Sequence, residues 1–331
     1  MPSAKPSTSA EADDLYLAGL DLLLGMMGTP EPEQAVEAFR AAQAAGSPAA
    51  AARLAVLAGV GLGRDQSWSD SLDLLEAAAV LGDRSAQRQL ALLTSDVAVT
   101  ARIRTSTTHG PAVWAKARAG VDIDAWIRPP TGKVGSDAPR IVTFERFATP
   151  EVCRWLMRRG EGAMEPAMVN DPATGQPRTD PMRTNGVARI GLADTDVVVL
   201  LTQARISAAT GLANACLETP NLLCYAPGQQ YRPHHDFFNP AAGGFADEIA
   251  ILGQRVATFL IYLNDDYTGG ETDFPSVGQR YRGGTGDALL FVNVRPDGSP
   301  DPDTLHAGLP PARGRKWVLS QWIRDKPQAI G

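Results

Sequence analysis

The chain has 331 residues, 44% of them hydrophobic and 21% charged, with a formal net charge of −6. That length allows two domains and a sizeable core, and the composition is that of a folded chain rather than a disordered one. A sequence pI near 5.3 without a basic run leaves no electrostatic footprint for nucleic acid, and no stretch approaches the roughly 20 apolar residues of a membrane span.

Residues 1–10 lack the apolar core of a signal peptide and read as a short disordered tail. The three cysteines, Cys153, Cys216 and Cys224, are odd in number, far apart and in apolar surroundings. They read as buried thiols, not as a disulfide framework, and the expected setting is the cytoplasm.

Residues 11–95 are rich in Ala and Leu. A shift of 36 positions lays Ala35–Ala42 on Ser71–Ala78, Gly46 on Gly82 and Leu54 on Leu90. A period in this range with helix-favouring composition predicts paired helices, with Gly46 and Gly82 ending the first helix of each pair. The region resembles tetratricopeptide-type repeats. It is either a docking surface for a partner or substrate, or a helical cap that only stabilises the C-terminal domain.

Residues 96–137 are expected to be a linker. Thr105–Pro111 is turn-like with a solvated His109, Ala112–Ala119 is a candidate short helix, and Pro129–Pro139 is the connecting segment. Residues 138–327 then form a second domain. Ile141–Phe144 is strand-like, and Thr149-Pro150 caps a helix that places Val152, Trp155 and Leu156 on one face. A second helix is expected over Thr195–Thr210, ended by Gly211. Between them, Asn170–Asn185 is polar, Pro-rich and long for a plain connection, so it is a lid or a surface excursion.

The chemistry concentrates between Tyr225 and Lys316. It opens with Tyr225-Ala-Pro-Gly-Gln-Gln-Tyr231-Arg-Pro-His234-His235-Asp236. Alternation along a strand points His234 and Asp236 the same way and His235 the other, leaving His235 a structural role. With His306 arriving from a distant strand, two histidines and a carboxylate would form the ligand set of non-haem Fe(II) oxygenases, which leaves further positions open.

The joint pattern makes this more than a chance His-x-Asp. Tyr-x-x-Gly-Gln-x-Tyr-x-x-His-x-Asp is followed by Thr258-x-x-x-Tyr262-Leu-Asn, then Gly269-Gly-Glu-Thr-Asp273-Phe-Pro, then His306 and, ten positions on, Lys316-Trp317. The segment resembles the prolyl 4-hydroxylase branch of the 2-oxoglutarate- and Fe(II)-dependent dioxygenases. The resemblance implies a C-terminal double-stranded β-helix (jelly roll) flanked by helices and preceded by the all-α region, an α+β protein overall.

It further implies Fe(II) on His234, Asp236 and His306, with 2-oxoglutarate and dioxygen as cosubstrates and ascorbate as a candidate reductant. The second carboxylate of 2-oxoglutarate needs a buried cation and hydroxyl donors, for which Lys316, Tyr225 and Thr258 are the candidates. Among 19 Lys and Arg residues from position 138 onward only Lys316 and Lys326 are lysine, so an Arg-preferring chain keeps Lys at the family's position. Tyr231, Arg183, Arg255 and Trp322 are candidate substrate contacts, with core packing as the alternative for the aromatic pair. Asp273 is either a partner that orients a ligand imidazole or a turn residue. The implied reaction hydroxylates prolyl residues of a peptide or protein, releasing succinate and carbon dioxide. Alternatives are a hydroxylase of a free amino acid or other small molecule, and a repeat-based interaction protein with an inactive or sensing oxygenase module.

Overall fold

The computed structural model describes residues 8–105, 109–171 and 173–328. It divides into two compact units, one running to Ile127 and including Ala193–Thr202, the other comprising Arg128–Leu192 and the residues from Gln203 onward.

The first unit is helical: α1 (Thr8–Leu24), α2 (Pro32–Ala44), α3 (Pro48–Val60), α4 (Trp68–Val80), α5 (Arg84–Leu93), α6 (Val97–Thr105), α7 (Pro111–Ala119) and α8 (Ile123–Ile127). The starts of α2 and α4, and those of α3 and α5, are each 36 positions apart. Local chemistry repeats with them. Gly46 and Gly82 follow α2 and α4 at φ +95° and +101°, a backbone state that glycine adopts without strain. Directly after them, Ser47 and Asp83 cap α3 and α5 by accepting from the backbone N–H three residues on.

Two expectations fail here. Residues 1–7 of the expected tail lie outside the described residues, but residues 8–10 already belong to α1. Residues 96–137 are not a linker: Asp96 caps α6 through Val99 N–H, Pro111 opens α7, and Val113 and Trp114 of α7 are buried. Of the turn-like segment, residues 106–108 lie outside the described residues. Within Pro129–Pro139, residues Lys133–Asp137 form a strand, β1. It is an exposed edge strand, so it carries no apolar alternation that sequence reading could detect.

In the second unit β1 pairs with β2 (Arg140–Phe144). There follow α9 (Pro150–Glu161), β3 (Glu165–Pro166), β4 (Val169–Asn170), β5 (Pro177–Arg178), β6 (Gly186–Arg189), α10 (Val197–Thr210, which begins in the first unit), β7 (Asn221–Tyr225), β8 (Tyr231–His234) and α11 (Ala246–Leu252). The chain ends in β9 (Arg255–Tyr262), β10 (Thr268–Gly269), β11 (Thr272–Phe274), β12 (Gln279–Tyr281), β13 (Ala288–Val292), β14 (His306–Gly308), β15 (Pro311–Arg313) and β16 (Lys316–Arg324). The large sheet runs β1-β2-β13-β9-β16-β7-β6-β3, and a smaller one runs β12-β11-β14-β8. Apolar side chains of both sheets, among them Leu260, Leu289, Phe291 and Val318 of the large one and Phe274 of the small one, share one buried cluster. This is the jelly roll.

Register sets which side chains face that interior. Trp322, Ser320 and Val318 of β16 lie opposite Thr258, Leu260 and Tyr262 of β9, while Lys316 lies opposite Tyr225 of β7. Alternation sends Trp317, Leu319 and Leu222 to the other face, where α9 packs on Leu222 and Trp317. A Cβ at Gly160 of α9 would stand 3.0 Å from both Leu222 Cδ1 and Trp317 Cζ3, so glycine permits that close approach. The segment Asn170–Asn185 is not structureless, since β4 and β5 pair within it and Arg178 bridges Asp171 and Asp180.

Candidate active site and metal centre

His234 ends β8 and His306 begins β14, and the two are register partners in the small sheet. Asp236 lies two residues past the end of β8, so it reaches the site through the turn after the strand rather than through strand alternation. One donor atom from each of the three residues lies within 4.8 Å of the others, a group that can hold a metal ion. Asp236 Oδ1 is 3.6 Å from His234 Nε2, and Oδ2 is 3.6 Å from His306 Nε2.

The imidazoles are aimed by backbone carbonyls. His234 Nδ1 lies 2.8 Å from Arg232 O and His306 Nδ1 3.0 Å from Thr304 O. A proton on each Nδ1 satisfies those carbonyls and leaves each Nε2 as the ligating lone pair. Phe291 and Phe274 flank the His306 ring at centroid distances of 4.6 and 5.6 Å. Burial pushes His306 down to about 4. Burial opposes ionisation of Asp236 as well, but His306 and His234 beside it hold its carboxyl far below the usual range. At neutral pH the imidazole is therefore neutral and the carboxylate ionised, the forms that bind metal.

The triad opens into a cavity. Lys316 and Tyr225 on its wall are 2% and 4% exposed, whereas Arg183, Tyr231 and Trp322, also on the wall, are only half-buried and lie nearer the mouth. Burial draws the Lys316 ammonium down to about 8, opposed by Glu271, and no carboxylate pairs with it among the described residues. Its Nζ sits 5.3 Å from the Tyr225 ring centroid and 5.6 Å from that of Tyr262. Burial also keeps the Tyr225 hydroxyl protonated well above its ordinary range, so it remains a donor. Gly308 leaves that hydroxyl its space, because a Cβ there would lie 3.2 Å from Tyr225 Oη.

Three of the sequence candidates are held differently from expectation. Thr258 is fully buried and donates its hydroxyl to Asp236 Oδ2 at 2.7 Å instead of facing the cavity. Asp273 does not reach a ligand imidazole, because it pairs with Arg280 across β11–β12 at 2.8 Å. Arg255 is gripped by both oxygens of Glu218, at 2.7 and 2.9 Å, and its guanidinium lies 3.7 Å from the Trp322 ring centroid. It thus backs a cavity wall rather than forming one. Tyr231 stacks on His234, and the Arg183 guanidinium lies 4.7 Å from the Tyr231 ring centroid. His235 bonds to Pro302 O at 2.9 Å, in keeping with a structural role.

Sequence reading missed Glu218, Arg324, Thr272 and Asn293. Glu218 also receives Arg324, which in turn pairs with Glu248 at 2.6 Å. Thr272 hydrogen-bonds Tyr262 Oη at 3.0 Å on the cavity wall. Only Thr272, inside Gly-Gly-Glu-Thr, carried a motif signal. A second hollow, lined by Pro166, Thr179, Asp180 and Pro181, shares Arg183 with the main cavity.

Residues 220–324 match the family model described as the 2OG-Fe(II) oxygenase superfamily. Prolyl 4-hydroxylase 1 of Arabidopsis thaliana is 32% identical over 210 residues, covering 59% of this chain and 72% of that protein. Prolyl 4-hydroxylase 5 of the same plant is 34% identical over 206 residues, covering 56% and 68%. Among solved structures, the viral collagen prolyl hydroxylase of Paramecium Bursaria Chlorella virus-1, in its 2OG complex, is 24% identical, covers 56% of this chain and 95% of that one, and superposes with a TM-score of 0.42. The protein is a 2-oxoglutarate-dependent dioxygenase with Fe(II) as its metal. Within that class, the chain belongs to the prolyl 4-hydroxylase family. No helix among the described residues is long and apolar enough to cross a membrane.

Proposed function

We propose that the protein hydroxylates prolyl residues of a peptide or protein, with His234, Asp236 and His306 holding Fe(II) and Lys316 receiving the far carboxylate of 2-oxoglutarate. The observation that carries this reading is the convergence, on one cavity, of the three ligand atoms and a buried ammonium with no carboxylate partner among the described residues. A neutral cavity would exclude a dicarboxylate, because a buried carboxylate requires a charged or hydrogen-bonding partner. Lys316 supplies the charge and Tyr225 Oη a hydrogen bond. The metal and dioxygen supply the oxidising chemistry, while 2-oxoglutarate leaves as succinate and carbon dioxide.

The remaining residues orient and seal. Tyr231 and Trp322, with Arg183, offer two aromatic faces and a cation at the mouth, surfaces suited to a pyrrolidine ring and its flanking backbone carbonyls. The second hollow shares Arg183 with the main cavity, which favours an extended ligand over a lone amino acid. The segment Asn170–Asn185 covers the ligand as a lid, and the α2–α5 hairpins dock part of a protein substrate.

The test is succinate release from 2-oxoglutarate with added Fe(II), comparing a proline-rich peptide with free proline. Stimulation by the peptide alone supports the proposal. Stimulation by free proline alone replaces it with a small-molecule hydroxylase.

A further inference from the structure

Asn293 belongs to no motif. It is a lone asparagine just past β13, yet its side chain and backbone lead to both arms of the metal triad. Asn293 Nδ2 donates to Thr258 Oγ1 at 3.0 Å, and that oxygen donates in turn to Asp236 Oδ2 at 2.7 Å. Asn293 and Thr258 are both 0% exposed, so bulk water reaches neither group.

Chemistry sets the direction of the two bonds. An ionised carboxylate only accepts, and a hydroxyl has a single hydrogen. That hydrogen is committed to Asp236, so Thr258 must accept from its other neighbour, which selects the amide orientation of Asn293. Among the described residues, the opposite end of the amide, Oδ1, is buried without a hydrogen-bond partner. A buried orphan acceptor is costly and asks for a reason; the reason is that the amide is kept for its donor end.

The backbone of Asn293 extends the connection. Its N–H donates to Val256 O at 2.8 Å, two residues before Thr258, and its carbonyl accepts from Asp301 N at 2.9 Å. Asp301 O accepts from Thr304 Oγ1 at 2.6 Å, and Thr304 O meets His306 Nδ1. One residue thus stands between the segment that aims Asp236 and the segment that aims His306.

We propose that Asn293 and Thr258 are positioning residues that present Asp236 to the metal through a single oxygen, Oδ1. The proposal rests on the triad being the metal site. A carboxylate that bound through both oxygens would take two positions of an octahedral ion, leaving too few for a two-toothed 2-oxo acid and dioxygen together. With Oδ2 engaged by the Thr258 hydroxyl, the carboxylate cannot rotate to chelate without breaking a buried hydrogen bond.

The test is a titration of the full-length protein with Co(II) alone, read by visible absorption, alongside the thermal midpoint of the metal-free protein. Thr258→Val should weaken Co(II) binding by about 10- to 100-fold, the range seen when an outer partner of a ligand is lost, and should change the absorption band. Thr258→Ser, which keeps the hydroxyl, should stay within about threefold of the unsubstituted protein on the same scale. Asn293→Ala should weaken binding in the Thr258 background and add nothing in the Thr258→Val background, because the relay is already broken there.

Co(II) affinity and band shape unchanged by Thr258→Val, or strict additivity of the two substitutions, would overturn the relay. Should Thr258→Val not fold, the decision falls to Asn293→Ala in the Thr258 and Thr258→Ser backgrounds, where unchanged affinity overturns it equally. An unsubstituted protein that binds no Co(II), or a His234→Ala variant that binds it normally, removes the triad reading and the relay with it. Normal binding by the unsubstituted protein together with normal binding by Thr258→Val removes the relay only.

Discussion

His306 sits directly across the β8–β14 ladder from His234, with ring centroids 4.3 Å apart. Strand pairing therefore brings together two ligands that are 72 positions apart in sequence, and the turn after His234 adds Asp236. Replacing His234, Asp236 or His306 with alanine should weaken metal binding by more than about 100-fold, beyond the loss typical of an outer partner, and bring succinate release to background. Metal titration and turnover of the three variants check this; substantial residual turnover in any one would remove that residue from the ligand set.

Lys316 links cosubstrate affinity to pH. The free protein holds its ammonium at about 8, so 2-oxoglutarate affinity should fall about tenfold per pH unit above that value, as the charge that binds the carboxylate is lost. Lys316→Met should weaken 2-oxoglutarate binding by roughly 10- to 100-fold, from the ~1.5–3 kcal/mol of a charge-assisted bond, and flatten the pH dependence. Stability moves the opposite way. Because burial disfavours the charged form, the metal-free protein gains stability between about 8 and the ordinary value of 10.5, where the unfolded chain holds the extra proton. Binding isotherms and unfolding midpoints across roughly pH 7–10, with Lys316→Met as the control, settle both signs.

Glu218 joins Arg255 and Arg324 behind the cavity wall. Burial would raise its carboxyl, but the two guanidinium groups hold it below its ordinary value. The stability it contributes is complete above the unfolded value of 4.5 and is lost as pH falls through the lower folded value. Glu218→Gln should cost about 1.5–3 kcal/mol at neutral pH, because it takes the charged partner from half-buried Arg255 while Arg324 keeps Glu248, and should shallow the acid limb of the stability curve. Urea unfolding at neutral and acid pH measures both effects, and an unchanged midpoint would show that the pair carries no stability.

Ser47 and Asp83 are equivalent caps on α3 and α5. Ser47→Ala and Asp83→Ala should each destabilise by about 0.5–2 kcal/mol, leaving 2-oxoglutarate turnover unchanged. Thermal unfolding with parallel turnover assays tests this; equal stability in both variants would mean the caps are satisfied otherwise.

Much of the protein was legible locally. Gly46 and Gly82, 36 positions apart, marked the helix ends because the required left-handed turn follows from residue type alone. Alternation along β16 puts Lys316, Val318, Ser320 and Trp322 on one face, since a strand has only two. The ordered motif from Tyr225 to Lys316 carried the family and the fold class, because ligand chemistry restricts which residue types can stand at those positions.

Pairings across the chain were decided by tertiary structure. Thr258 is motif-bound in sequence, but whether its hydroxyl meets a cosubstrate or Asp236 depends on how β9 lies beside the turn after β8. Arg255 turns from substrate contact to wall support because Glu218, 37 positions earlier, takes both ends of its guanidinium. Strand β1 was hidden because an exposed edge strand needs no apolar pattern, and Asn293 because a hydrogen bond between distant side chains leaves no periodicity. Composition, turns and strand faces depend on neighbours in sequence and can be read from them; a buried polar group's partner is chosen by packing, and only the folded chain names it.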